Sequence, residues 1–387
     1  MLSRKVASQL KEIETPFYLY DINLLRQTLE SVVYESNKYN YKVHYAIKAN
    51  NDDYLLSIIK EYGIGIDCAS GNEVRKAIEM GFDPKTVVYA GVGKKDKEIR
   101  YALEQEILAI NCESIEELQV VDALAAQMGK KADVGLRVNP DIDPKTNHCI
   151  DTGQADSKFG ISYDEILEEA ELIKSLENIN IIGIHIHIGS QIRELHVFEN
   201  MCNKANAIVE KLESLGFSFR IVDVGGGLGI NYDVPENEPI PNFASLFSIV
   251  REYLNVEGKE VHFEFGRSIV GECGELITSV LYNKTTATGR RLLIIDASMT
   301  ELIRPMLYGS YHNIENITSQ EDIFTKYTVV GTACESTDVF DENVSLRRSK
   351  RGDLLAIKSA GAYGRSMASE YNMHELPKAV YSDQLTK

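Results

Sequence analysis

The chain has 387 residues, 44% of them hydrophobic and 26% charged, and its 58 acidic against 41 basic residues leave a formal net charge of −17. At about 150 residues per domain this length predicts two or three domains, or one large α/β barrel with an accessory domain, and excludes a disordered or fibrous chain. The acidic balance, with no Lys/Arg stripe to override it, argues against nucleic acid as a partner, and no apolar run reaches the ~18 residues of a membrane span.

Met1–Pro16 carries Glu12 and Glu14 and lacks the apolar stretch of a signal peptide, which predicts a cytoplasmic protein. Cys68, Cys112, Cys149, Cys202, Cys273 and Cys334 show no C-x-x-C spacing, a distribution that fits reduced thiols better than disulfides or a structural zinc site. Asp21 can cap a helix whose Leu25, Leu29, Val32 and Val33 share one face. Eight short apolar runs follow: Val43–Ile47, Ile64–Ile66, Val87–Tyr89, Leu108–Ile110, Val134–Val138, Ile181–Ile188, Ile221–Val224 and Val261–Phe263. The early ones are spaced by about one crossover helix and two loops, so the strands should be parallel and close into a (β/α)8 barrel. Three S-x-x-E sequences, at Ser70–Glu73, Ser114–Glu117 and Ser162–Glu165, predict capped helix starts between them. Beyond residue 268, strand-like runs such as Leu292–Ile295, Tyr327–Val330 and Leu354–Ile357 predict a second, mostly β domain. The expected division is 22–267 for the barrel and 1–21 with 268–387 for the β domain.

In such a barrel, function gathers just past the C-terminal ends of the strands. Those positions hold Lys48, Asp67, Asn139, His185, His187, the Gly225-Gly226-Gly227 turn, Glu264, Gly266 and Arg267. A lysine, a ring-shaped stacker, a glycine turn, a carboxylate and an arginine at one mouth suit a phosphorylated, aldehyde-bearing heterocycle. Each has a plainer reading. Lys48 could be a rim lysine, the glycines a tight turn, and Glu264 with Arg267 a structural ion pair. His185 and His187, at i and i+2, could be a metal pair of a barrel hydrolase, but no other histidine obviously completes a ligand set. One histidine stacked on a cofactor ring and one packed in the core is the preferred alternative.

Nine segments in order carry a family resemblance: YAIKAN around Lys48, RVNP at Arg137–Pro140, TGQADSKFGI at Thr152–Ile161, HIHIGSQ at His185–Gln191, DVGGGLGI at Asp223–Ile230, EFGRSIV at Glu264–Val270, ELIRPMLYGSYH at Glu301–His312, ACES at Ala333–Ser336 and GAYG at Gly361–Gly364. The chain resembles the barrel-type (fold type III) pyridoxal-phosphate decarboxylases, and within them the diaminopimelate decarboxylases. The resemblance implies pyridoxal 5'-phosphate as cofactor, with Lys48 binding its aldehyde, His187 stacking on the ring and Glu264 facing the pyridine nitrogen. It places Ser190, Gly227, Gly266, Arg267 and Tyr363 around the phosphate. It makes Arg267, Arg304, Tyr308, Glu335 and Tyr363 substrate contacts and Cys334 the proton donor, with Cys334 and Glu335 reaching the neighbouring site of a homodimer. Phe265 and Thr332 stand where prolines are usual, and Met373-His374 where an arginine-containing continuation is.

A carboxylate that keeps the pyridine nitrogen protonated strengthens the ring as an electron sink, which favours decarboxylation over racemisation. A free thiol such as that of Cys334 keeps its proton near neutrality and can return it to carbon. An arginine and an acid together, Arg304 and Glu335, match a substrate end bearing both carboxylate and ammonium. The expected reaction is meso-diaminopimelate to L-lysine and CO2. A related decarboxylase of basic amino acids or carboxylated polyamines, a metal-dependent hydrolase using His185 and His187, and a silent cofactor-carrying regulator are the alternatives.

Overall fold

Short apolar strands buried on both faces, several of them followed by a helix with a side-chain N-cap (Asp52, Ser70, Ser114), form the barrel. The computed structural model describes residues 2–140, 142 and 157–385, so Cys149 and Thr152–Asp156 of the expected motifs lie outside the described residues. In chain order β1 (Phe17–Tyr20) belongs to the second sheet. The barrel is built from β2 (Lys42–Ala46), β3 (Gly65–Cys68), β4 (Val87–Tyr89), β5 (Ala109–Cys112) and β6 (Ala132–Asn139) and, after the two-residue β7 (Ile161–Ser162), from β8 (Ile179–His185), β9 (Ile221–Asp223) and β10 (Glu260–Phe265). Every neighbouring pair is parallel, β2 pairs with β10, and the β5–β6 pairing closes the ring.

Each expected run coincides with a strand, but the ends differ, with consequences for the site. β3 extends through Asp67 and β10 through Phe265, so Asp67 and Glu264 lie within strands rather than past them. Lys48 stands on a 3-10 turn, Ile47–Ala49, that begins where β2 stops. β8 ends at His185, so His187 belongs to the following loop and the two histidines do not share a strand face.

Helix starts follow the S-x-x-E signals with one change. Ser70 Oγ accepts from the Glu73 N–H at 3.3 Å and Ser114 Oγ from the Glu117 N–H at 3.1 Å. The two glutamates accept from Ala69 and Glu113, one residue before the cap, at 2.6 and 2.7 Å. Asp21 Oδ1 accepts from the Leu24 N–H at 3.1 Å and starts the helix Ile22–Asn37, whose Leu25, Leu29 and Val32 are fully buried while Val33 is half-buried.

β10 shows how two-residue alternation aims a functional side chain. Phe263 and Phe265 lie on one face of the strand against the helix Phe243–Tyr253, with ring centroids 4.8 Å apart for Phe247–Phe263 and 5.4 Å for Phe243–Phe265. His262 and Glu264, one residue out of phase, take the opposite face. Each aromatic contact contributes ~0.5–1.5 kcal/mol beyond area burial, which gives Phe265 a packing role where proline is usual and anchors the strand that carries Glu264.

The second sheet comprises β11 (Gly274–Thr285), β12 (Arg291–Ile295), β13 (Ile314–Asn316), β14 (Phe324–Val330), β15 (Val339–Arg347) and β16 (Leu354–Ile357), with β17 (Lys378–Tyr381) beside β1. β1 pairs antiparallel with β11 and parallel with β17. Leu10, Phe17, Leu19, Ile277, Ile317, Leu354 and Ala356 form a core of this unit. The chain divides into two compact units, 29–229 with 242–266, and 1–28 with 230–241 and 267–387. Segments 22–28 and 230–241, with Arg267, thus group with the β unit and not with the barrel as the expected boundaries had them. Among the described residues no helix is long and apolar enough to cross a membrane.

Candidate active site

In the barrel unit, five strands and the turn after β2 bring ionisable side chains together. Lys48 Nζ lies 2.8 Å from Asp67 Oδ2, and Asp67 is fully buried. Burial raises the Asp67 carboxyl, nearby Glu264 raises it further, and Lys48 opposes both. The register aligns Arg137 of β6 with His185 of β8, and His185 with Asp223 of β9. His185 Nε2 is 2.9 Å from Glu264 Oε2, while Glu264 Oε1 is buried without a hydrogen-bond partner. Burial opposes ionisation of Glu264, but His185 and then Lys48 outweigh it and hold the carboxyl well below the usual range. Asp223 is driven the other way, by burial and then by the Glu264 charge. The cluster therefore concentrates its negative charge on Glu264.

His187 has the opposite character to His185. Its Nδ1 accepts from the Gly226 N–H at 3.2 Å, so a ring proton belongs on Nε2. Burial, then Arg137 and Lys48, push its pKa well down and keep the ring neutral. Arg137 is held in turn by Glu113, whose Oε1 accepts from Arg137 Nη1 at 2.7 Å and from the Gly91 N–H at 2.8 Å.

The glycine turn is needed for close approach. Gly225 and Gly227 have φ of +66° and +107°, and a Cβ on Gly227 would stand 2.6 Å from the Gly189 carbonyl oxygen. A Cβ on Gly226 would collide with the Glu264 carbonyl. The Gly225 and Gly226 N–H groups donate to Asp223 Oδ1 and His187 Nδ1, so the anion-binding capacity expected of the whole turn narrows to Gly227. Ser190 follows in the loop beyond His187, and Gly266 directly follows β10.

In the β unit, Arg267 and Arg304 open the short helices Arg267–Val270 and Arg304–Tyr308 and are both buried. They converge on Tyr232, donating Nη1 to its Oη at 2.6 and 2.9 Å. Arg267 also lies over the Tyr363 ring at 4.9 Å, and Tyr363 is held at φ +56°. Tyr308 ends the Arg304 helix. Cys334 and Glu335 occupy an exposed turn of the same unit, with the Cys334 N–H donating to Asn372 Oδ1 and Tyr371 Oη to Glu335 Oε1, at 2.8 and 2.7 Å.

Asp223, Asp67 as partner of Lys48, and Tyr232 are functional candidates that only the structure brings out. Strand-end position and the DVGGG segment mark the first two; Tyr232 lies in a turn-rich stretch with no pattern to mark it. Among the described residues the group with metal-ligating geometry is His185, Asp223 and Glu264, whose ligand atoms lie within 4.8 Å of one another, and not His185 with His187.

Residues 25–271 match the family model described as the pyridoxal-dependent decarboxylase, pyridoxal binding domain. The chain is 47% identical over 377 residues to a diaminopimelate decarboxylase of Bacteroides thetaiotaomicron, covering 97% of both chains. It is 40% identical to that of Aquifex aeolicus over 95% of this chain and 86% of the relative. A crystal structure of diaminopimelate decarboxylase from Helicobacter pylori complexed with L-lysine superposes with a TM-score of 0.91 at 36% identity, covering 98% of this chain and 95% of the other.

Proposed function

This chain belongs to the pyridoxal-dependent decarboxylases and, among them, to the diaminopimelate decarboxylases, and we propose from that premise how its residues divide the work. The protein is a carboxy-lyase that uses pyridoxal 5'-phosphate to convert meso-diaminopimelate to L-lysine and CO2. The single observation that best supports the residue assignment is Glu264: a buried carboxylate held ionised, with Oε1 unengaged. An acceptor of that kind suits a protonated pyridine nitrogen. The glycine turn, where a side chain on Gly227 would collide, suits close approach of a phosphate.

When bound, the cofactor supplies an electron sink for the pair left as CO2 departs. Lys48 would hold the cofactor aldehyde, and Asp67, 2.8 Å from its Nζ, would pair with the lysine ammonium whenever that amine is free of the aldehyde. His187, neutral, would stack on the cofactor ring, and His185 donates to Glu264 Oε2 and fixes the carboxylate so that Oε1 remains available. By the family resemblance, Ser190, Gly227, Gly266, Arg267 and Tyr363 would bind the phosphate. Arg304 and Tyr308, with Arg267 and Tyr363, bind the substrate carboxylates, and Glu335 takes the far ammonium. Cys334 Sγ–H gives its proton to the carbon that has lost CO2.

Cys334 and Glu335 are exposed in the single chain, which supports their serving a neighbouring subunit in a homodimer with shared sites. The free cysteines among the described residues, Cys68, Cys112, Cys202, Cys273 and Cys334, support a reducing, cytoplasmic setting. The net charge of −17 supports a protein that does not engage nucleic acid. CO2 release from meso-diaminopimelate, with and without added pyridoxal phosphate, tests the activity. Turnover that depends on the cofactor is expected; a preference for ornithine or arginine would overturn the substrate assignment.

A further inference from the structure

Two buried guanidiniums in one unit repel each other and lose hydration, so each needs an electron-rich partner. Arg304 has only neutral ones among the described residues: Tyr232 Oη at 2.9 Å, Ser310 Oγ at 3.0 Å and the Tyr232 ring at 5.1 Å. Its Nε is buried without a hydrogen-bond partner. Arg267 donates to the same Tyr232 oxygen at 2.6 Å. A phenol oxygen has two acceptor positions, and the two arginines fill them, so its own proton must be directed away from both. On another side His312 meets the Tyr232 ring edge-on, with centroids 5.0 Å apart. Its Nδ1 lies 2.9 Å from the Lys358 carbonyl oxygen, and burial followed by Arg304 pushes its pKa down to about 3, so it adds no charge. Two cations therefore share one neutral oxygen, with an unused N–H on Arg304 and an O–H on Tyr232 left for an anion.

We infer that Tyr232 is a specificity-determining positioning residue, whose single oxygen fixes Arg267 and Arg304 as a paired receptor for the carboxylate at the non-reacting end of the substrate. The inference rests on diaminopimelate being the substrate. That carboxylate survives the reaction as the carboxylate of lysine, so product as well as substrate should sense Tyr232. A diamine without it should not.

Tyr232→Phe keeps the ring edge against His312 and removes only the oxygen. In the holoenzyme, inhibition by L-lysine and by 1,5-diaminopentane is compared, together with KM and kcat for diaminopimelate, cofactor content and thermal unfolding. Loss of charge-assisted hydrogen bonds should weaken lysine and raise KM by about tenfold to a hundredfold. Affinity for 1,5-diaminopentane should stay within about twofold, kcat should change less than KM, and cofactor content should be unchanged. Equal weakening of both inhibitors, unchanged lysine affinity, or loss of folded, cofactor-bearing enzyme would each overturn the inference. A wild-type enzyme inert toward diaminopimelate would instead overturn the substrate assignment and this inference with it, whereas an active wild type with an unselective variant overturns the role of Tyr232 alone.

Discussion

Replacing Glu264 separates its charge from its hydrogen bond. His185 Nε2 and Glu264 Oε2 lie 2.9 Å apart, and both side chains are buried to within a few per cent. Glu264→Ala leaves the imidazole N–H with no acceptor, and breaking such a buried pair costs ~3–5 kcal/mol. Glu264→Gln keeps an acceptor oxygen in the same place. It exchanges a charge-assisted bond, worth ~1.5–3 kcal/mol, for a neutral one of ~0.5–1.5 kcal/mol, so it should cost only about 1 kcal/mol. Catalysis should respond in the other proportion, because both variants remove the charge that keeps the ring nitrogen protonated: kcat should fall by about 10²–10³ in each. The chain has no tryptophan, so unfolding in urea is followed by far-UV circular dichroism, and turnover by CO2 release. A glutamine variant with kcat within twofold of wild type would refute the charge argument. An alanine variant no less stable than the glutamine variant would refute the buried pair.

Lys48→Ala should abolish both the visible cofactor band and turnover; retention of either would mean that another amine holds the aldehyde. Gly226→Ala places a methyl group against the Glu264 carbonyl, so it should destabilise by ~1–3 kcal/mol and lower cofactor occupancy; unchanged stability would refute the close approach, and unchanged occupancy would mean that the turn merely connects β9 to the next helix. Mixing inactive Lys48→Ala and Cys334→Ser subunits should restore about a quarter of wild-type activity if each site draws on two chains, and nothing if each is complete in one. His44 and His262 share a buried hydrogen bond of 2.9 Å, and burial pushes their pKa values down to about 3 and about 4. The unfolded chain binds protons at these rings near pH 6.5 and the folded one does not, so stability is complete above that value and is lost as the pH falls toward the folded values. The loss from His262 alone approaches about 3 kcal/mol. His262→Gln should flatten the acid limb of urea midpoints measured against pH, and an unchanged limb would rule the pair out as its source.

The barrel was legible because its signals are local. A β-branched run ending at a helix cap marks β3 and its successor helix through Ser70, and a glycine triplet marks a turn no other residue could form. What failed was position to within one or two residues. Whether a strand ends before or after Asp67, or carries on from His185 to His187, depends on ladder bonds to neighbouring strands, which no local pattern encodes. Phe265 looked like a departure at the site and proves to be packing, because strand alternation turns it away from Glu264 toward Phe243 and Phe247. Tyr232 was illegible for a different reason. Its role exists only because Arg267 and Arg304, 35 and 72 residues further along the chain, deliver their guanidiniums to one oxygen.

Borohydride reduction of the purified holoenzyme, followed by peptide mapping, tests the central assignment most directly. A stable pyridoxyl group is expected on the Lys48 side chain, within the peptide that links β2 to the following helix. Its attachment to any other lysine, or a protein that takes up no label while still releasing CO2 from diaminopimelate, would contradict that assignment.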